Sequence, residues 1–287
     1  MAVVNTNIGA SVAQAALKTN ERALNTAMEQ LSTGKKINSA ADNASGLAIT
    51  NRMTSQIKGL EAAIRNANDA ISMVNTAEGA LDEITDMLQR MRELAVQAGT
   101  GTTAAADRTY ANAEFVALRS EIDRIADNTE WNGRKILNGS AGASTGKSTV
   151  AFQIGVDSTQ TISVSFSNFT DGTSGKLSGL ASKRLSAATV ASGITQAGNA
   201  ITEIDVVIGD VSAQRATFGA LSNRLDHAVD NLTNVKTNAE ASRSRILDTD
   251  YAASTSELAR TQIIQQAGTA MLAQANQLPQ TVLALLQ

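Results

Sequence analysis

At 287 residues the chain is long enough for one or two domains, yet aromatics make up only 3% of it and proline occurs once. A formal net charge of −3 leaves no basic surplus for neutralising phosphates, which argues against a nucleic-acid binder. Zero cysteine excludes disulfides and thiolate metal sites, and it fits a destination where thiols would oxidise.

Taken in order, residues 1–16 lack a basic stretch followed by a continuous apolar core, so no cleaved secretory signal is expected. No run reaches the roughly 18 apolar residues of a membrane span. Residues 1–37 form a weak helix in which Leu17, Leu24 and Leu31 recur every seven among small polar residues. A stripe this thin is marginal in water on its own. Gly34, followed by Lys35 and Lys36, reads as its stop, and 39–46 (SAADNASG) as a turn or short helix.

Residues 49–98 are the stretch on which the chain is organised. Met53, Ile57, Leu60, Ile64, Ala67, Ile71 and Val74 alternate steps of four and three, a heptad seam. A three-residue slip is expected at Ala77, with the seam resuming at Leu81, Ile84, Leu88, Met91 and Ala95. A second stripe through Met87 and Leu94 widens the apolar arc, so more than one neighbouring helix is needed. Fifty residues of helix make a rod of about 75 Å.

After a flexible corner at 99–105, a second helix over 106–128 carries Phe115, Leu118, Ile122 and Ile125 and should fold back antiparallel. Residues 128–139 (NTEWNGRKILNG) hold two Asn-Gly turns, with Trp131, Ile136 and Leu137 packing on the bundle. Two alternating runs follow, Val150, Phe152, Ile154, Val156 and Ile162, Val164, Phe166, which with 157–160 between them predict a β-hairpin. A Gly/Ser/Thr-rich loop over 169–179 ends it. Helix returns between about 181 and 189 with Ile194, Ala197, Ile201, Ile204, Ile208 and Val211. Arg215 takes the next seam position, Phe218 follows, and a slip leads to Leu221, Leu225, Ala228, Leu232, Val235, Ala239 and Ile246. The last segment carries Ile264, Gly268, Met271, Ala275, Leu278, Val282 and Leu285, with a kink or fresh start at Pro279.

The plan is nearly palindromic: weak helix, rod, short β-containing middle, rod, weak helix. Both ends carry unsatisfied seams, best explained if they pair with each other and with other copies. The candidate polymerisation residues are Leu17, Leu24, Leu31, Ile264, Met271, Leu278, Val282 and Leu285. The fold class is therefore mainly α, long antiparallel coiled-coil rods with a small β-hairpin region. The expected division is 1–44 with 245–287 as terminal helices, 45–139 with 181–244 as rod, and 140–180 as hairpin and loops.

No enzymatic constellation stands out. The lone His227 falls off its helix stripe and lacks a second imidazole or thiolate, so it reads as solvated. Glu121, Asp123 and Asp127 read as a wet helix face, and Asp248 and Asp250 as a helix junction. The Asn-x-Ser/Thr triplets at Asn43, Asn138, Asn168 and Asn231 read as chance in an Asn/Ser/Thr-rich chain. No cofactor is expected.

Several stretches resemble bacterial flagellin. Residues 33–50 (TGKKINSAADNASGLAIT) are similar to that family's amino-terminal signature, and 89–97 (QRMRELAVQ) to a hallmark of its first long helix. Residues 130–139 are similar to its Asn-Gly turn, and 244–286 to its carboxy-terminal signature. The resemblance covers roughly 1–140 and 185–287 and implies a structural subunit that polymerises into the helical filament of the flagellum. In that family the terminal helices pair as a coiled coil inside the filament. The resemblance also implies secretion through the flagellar type III pathway and an export chaperone on the carboxy-terminal segment. Cap and hook-junction proteins would be further partners. Two immune readings come with it: the vertebrate Toll-like receptor for flagellin at Arg90, Leu94 and Glu114, and inflammasome sensors at Leu283, Leu285 and Leu286. O-linked sugars on 140–149 are a further family trait. The alternatives are a hook–filament junction protein and, from another class, a helical-bundle adhesin or signalling module.

Overall fold

The computed structural model describes residues 7–141, 149–172, 175–187 and 189–285, without the side chains of 278–285. In chain order the elements are α1 (Ile8–Thr33), α2 (Ala44–Ala98), α3 (Ala105–Asn128), β1 (Glu130–Trp131) and β2 (Arg134–Lys135). Then come β3 (Thr149–Gln153), β4 (Thr161–Ser165), α4 (Ser178–Ala181), α5 (Val190–Leu247) and α6 (Tyr251–Leu285). This is the mainly helical chain with one small hairpin region that the periodicity predicts. It separates into two compact units, residues 58–236 and residues 1–57 with 237–287.

The unit of 58–236 holds the main core. From Leu60 on, the buried line of α2 runs through Ala63, Ala67, Ala70, Val74, Ala77, Leu81, Ile84, Leu88, Met91, Ala95 and Ala98, with Met73 and Leu94 buried beside it. That line alternates threes and fours without a break, so the slip expected at Ala77 is not there. The irregular step falls instead at Ile57–Leu60–Ala63. Ile64 and Ile71 flank the seam, half-buried, and Ala63 and Ala70 occupy it. On α5 the same correction applies. Gly193, Ala197, Ala200, Ile204, Val207, Val211, Gln214, Phe218, Leu221 and Leu225 form one unbroken stripe. Ile201 and Ile208 lie beside it, and Arg215 is on the flank while Gln214 holds the seam position. Small residues on the line of contact let two long helices approach closely, and the larger isoleucines then fill the margins.

Ion pairs fix the direction of the two rods. Glu61 meets Lys236 at 2.9 Å, Asp82 meets Arg215 at 2.9 Å, and Arg92 meets Asp205 at 2.7 Å. Advancing along α2 means receding along α5, so they run antiparallel. Phe115 and Ile122 of α3 are buried in the same cluster, with Leu118 and Ile125 partly buried against it. At the turn from α2 to α3, Arg108 is only 1% exposed and bonds to backbone carbonyls. Its Nε donates to the Ala98 carbonyl at 2.8 Å, Nη2 to Thr100 at 2.9 Å and Nη1 to Val190 at 3.3 Å. A cation at the C-terminal carbonyls of α2 is favourably placed against the helix dipole. Gly193 leaves the room, since a Cβ there would stand 3.1 Å from Arg108 Nη1.

The middle of the chain packs on these helices. Asn132 and Gly133, with φ of 50° and 73°, turn β1 into β2, the left-handed pair that a two-residue hairpin requires. Ile136 and Leu137 are buried beyond it and Trp131 is half-buried, as expected. β3 and β4 pair antiparallel from Thr149↔Ser165 to Gln153↔Thr161. The hairpin is shorter than the alternation suggests, because Ile154 and Val156 belong to the turn. There Val156 seats over Gly59 of α2, where a Cβ would meet it at 3.2 Å. Gln214 ties the hairpin to α5: its Nε2 donates to Ser165 O at 2.9 Å and its Oε1 accepts from Ser167 Oγ at 2.7 Å. The Phe166 and Phe218 rings lie 5.4 Å apart beside it. The stretch read as a plain loop over 169–179 contributes Phe169 and Leu177 to the core, and Leu180 and Leu185 follow.

In the other unit, α1 ends where expected. Gly34 takes the left-handed cap at φ 69°, and its N–H donates to Gln30 O. Asn43 Oδ1 accepts the Gly46 N–H at 2.8 Å at the start of α2. Asp250 Oδ1 accepts from Ala252 N at the start of α6. The helix α6 continues through Pro279 to Leu285, so the sequence's fresh start does not occur. Between the helices, Lys36 N donates to Leu247 O and Thr249 N to Gly34 O, stitching the two junctions together.

Candidate functional site

The terminal pair is built on a thin seam. Along α1 the seam shielded from solvent runs through Leu17, Asn20, Leu24, Ala27 and Leu31, alternating threes and fours, with Ala10, Ala13, Ala23 and Gln30 also half-buried. Only Asn20 and Ala27 are fully buried and the three leucines are half-buried. Along α6 they are Ser254, Leu258, Thr261, Gln265, Gly268, Leu272 and Ala275. Asn20 Nδ2 donates to Thr261 O at 2.8 Å and to Gln265 Oε1 at 3.1 Å, and Asn7 Nδ2 to Ala275 O at 2.8 Å. Leu17 fits over Gly268, where a Cβ would stand 2.6 Å from its Cδ2. The helices are antiparallel, held by side-chain amides, one glycine notch and leucines that stay only half-buried.

This places the expected polymerisation residues in three sets. Leu17, Leu24 and Leu31 lie on the intramolecular seam. Ile264 and Met271 do not, contrary to the stripe drawn from spacing; they are 41% and 65% exposed. The buried stripe of α6 instead selects Thr261, Gln265 and Gly268, because small and amide side chains meet α1 at close range. Leu278, Val282 and Leu285, with Leu283 and Leu286, lie outside the described side chains. Ile8, Val12 and Ile263, which no stripe singled out as exposed, also face solvent. Val12, Ala15, Ala16, Thr19, Ala23 and Ile264 line an open groove of about 590 Å³ between the two helices. Large apolar groups that a helix pair leaves on its outside are material for a second interface.

A separate polar cluster sits on α2 and α3. Arg90 Nε donates to Glu114 Oε1 at 2.9 Å and its Nη1 to Glu93 Oε2 at 3.0 Å. The hydrogen bond it donates to Glu114, then that to Glu93, raises the guanidinium above its ordinary value, although all three groups are solvated. Leu94 is buried at 3% and belongs to the core, so its side chain is not on this surface. His227 is exposed on α5. Asp248 is bonded by Ser244 Oγ, and Asp123 Oδ1 accepts the Asp171 N–H, so these carboxylates serve local structure. Asp127 is held below the usual carboxylate range, first by the hydrogen bond from Lys135 and then by that from Asn138. Among the described residues no three His, Asp or Glu side chains converge as metal ligands. No helix among them is long and apolar enough to cross a membrane.

Comparison with known proteins matches residues 4–142 to the family pattern described as the bacterial flagellin N-terminal helical region. Residues 201–286 match the bacterial flagellin C-terminal helical region. Flagellin A of Vibrio cholerae is 37% identical over an alignment of 381 positions covering 99% of both chains, so it carries the surplus length as insertions. A flagellin of Halalkalibacterium halodurans is 43% identical over 285 residues, covering 99% of this chain and all of its own. In fold, a solved structure described as a flagellar hook-associated protein of Vibrio parahaemolyticus superposes with a TM-score of 0.59. It is 13% identical and covers 72% of this chain and 100% of its own.

Proposed function

The chain belongs to the bacterial flagellin family, and from that premise we propose how its residues divide the work of building a filament. It is a structural subunit of the extracellular flagellar filament and assembles with copies of itself. The assembly surface assigned here is the outer face of the α1–α6 pair, including Ile264 and Met271, continued by Leu278, Val282 and Leu285. The observation that carries this reading is the inversion on α6: Thr261, Gln265 and Gly268 face α1, while Ile263, Ile264 and Met271 face solvent. Burying that outer strip against neighbouring copies would supply the apolar area that the intramolecular seam lacks, at about 25 cal/mol per Å². Residues 45–139 and 181–244 then act as the rod, and 140–180 as a reduced outer region. The surplus length of the Vibrio cholerae relative supports a reduced chain here.

The finer partners follow from the same premise. The subunit leaves through the flagellar type III pathway, a chaperone shields the carboxy-terminal segment until then, and cap and hook-junction proteins meet it at the filament ends. The vertebrate receptor for flagellin would read the Arg90–Glu114 surface, with Leu94 supporting it from the core side, and terminal Leu283, Leu285 and Leu286 would serve inflammasome sensors. No catalytic step is assigned to His227 or to the carboxylates. Seeded growth of purified protein tests the central part. Long uniform filaments from the intact chain, and none from a copy lacking residues 250–287, are expected. A small oligomer of fixed size would favour a junction protein or a bundle module instead.

A further inference from the structure

The methionines of this chain fall into distinct environments. Met73 and Met91 are 2% and 0% exposed inside the core of the 58–236 unit, whereas Met28 of α1 and Met271 of α6 are 53% and 65% exposed. Met271 is the more consequential. The Asn7–Ala275 hydrogen bond and the Leu17–Gly268 contact bracket it, so it stands level with Val12, one heptad beyond Ile264. We propose that Met28 and Met271 are oxidation sites, and that converting their thioethers to sulfoxides makes the free subunit unable to join a filament. Resting on the assembly surface assigned above, this makes assembly sensitive to peroxides.

The chemistry balances without help from the protein. The thioether sulfur attacks one oxygen of a hydroperoxide, an S–O bond forms as the O–O bond breaks, and the other oxygen leaves as water or alcohol after taking up a proton. Sulfur loses two electrons and the peroxide gains them. At Met271 the product is a polar, chiral sulfoxide in a strip whose other large members are apolar. At Met28 it is a polar group on the outside of α1, and a thiol-dependent sulfoxide reductase could reverse both. Buried Met73 and Met91 lack the access the reaction needs.

The test treats the free full-length subunit with hydrogen peroxide, maps tryptic peptides by mass, and then offers it to filament seeds. Met28 and Met271 are expected to gain oxygen on the order of tenfold faster than Met73 and Met91, the sites being told apart by fragmenting overlapping peptides because Met73 and Met87 share one tryptic peptide. Growth should fall in step with that gain. Whatever rate the M28L/M271L double variant shows untreated, peroxide treatment should leave that rate unchanged. Oxidation at equal rates, undiminished growth of the oxidised wild type, or equal inhibition of the double variant would each overturn the proposal. Failure of the untreated protein to elongate would overturn the assembly reading beneath it, which the untreated arm reveals separately.

Discussion

The rod core and the terminal pair are written in the same period and filled with opposite chemistry. In residues 58–236 the alternation of threes and fours is occupied by Leu81, Ile84, Leu88 and Met91 on α2 and by Ile204, Val211, Phe218 and Leu225 on α5, all essentially inaccessible. In α1 and α6 the same alternation mixes half-buried Leu17, Leu24, Leu31, Leu258 and Leu272 with Asn20, Ala27, Thr261, Gln265 and Gly268, while Ile8, Val12, Ile264 and Met271 stay in solvent. A heptad therefore states that a helix will have a partner, but its residue types state which face is satisfied within the chain. The rod spends its apolar groups on its own core, and the terminal pair leaves several of its large apolar groups in solvent.

The largest effect that would sharpen this contrast is in the rod. Phe218→Ala removes a buried ring packed on Phe166 and should cost about 3–5 kcal/mol, read as a lowered denaturation midpoint. Leu17→Ala, at a half-buried seam position of α1, should cost only about 1–2 kcal/mol in the isolated subunit. Equal losses would break the comparison. Next, Gly268→Val fills the notch under Leu17 and should cost about 1–3 kcal/mol through overpacking, lowering the amide protection of α1 and α6 and leaving that of α2 intact.

Surface charge should matter least. Arg215→Ala loses an exposed pair with Asp82 and should change stability by about 0.5 kcal/mol or less, an effect that added salt erases. For Asp127 the folded-state value lies below the ordinary one, so its contribution is present above the unfolded carboxylate range. It is lost as pH falls through the folded value. The melting difference between wild type and Asp127→Asn should thus be visible near pH 6 and vanish in acid. A difference that grows on acidification would contradict the sign.

Much of this was legible before the structure. The period, the antiparallel return, the Gly34 stop, the Asn132–Gly133 turn and the hairpin all follow from local chemistry. The phase of the seams does not. Spacing alone favours Ile64, Ile71, Ile201 and Ile208, yet Ala63, Ala70, Ala200 and Val207 are the residues on the contact line. On a single helix both choices give the same period, and only the approach of the partner decides between them. Gln214 and Arg108 were hidden for a related reason. A polar side chain earns a buried place only when carbonyls from distant segments, Ser165 for one and Ala98, Thr100 and Val190 for the other, converge on it. On α6, Ile264 and Met271 did mark an apolar face, although it is the outer one.

The most direct test of this account is seeded filament growth of the Ile264→Asp, Met271→Asp double variant, followed by electron microscopy beside thermal melting of the free subunit. Because both positions face solvent, the rod's melting transition should stay at its wild-type temperature while elongation is abolished. Filaments of normal length and rate from that variant would show that the outer face of α6 is not where the copies meet.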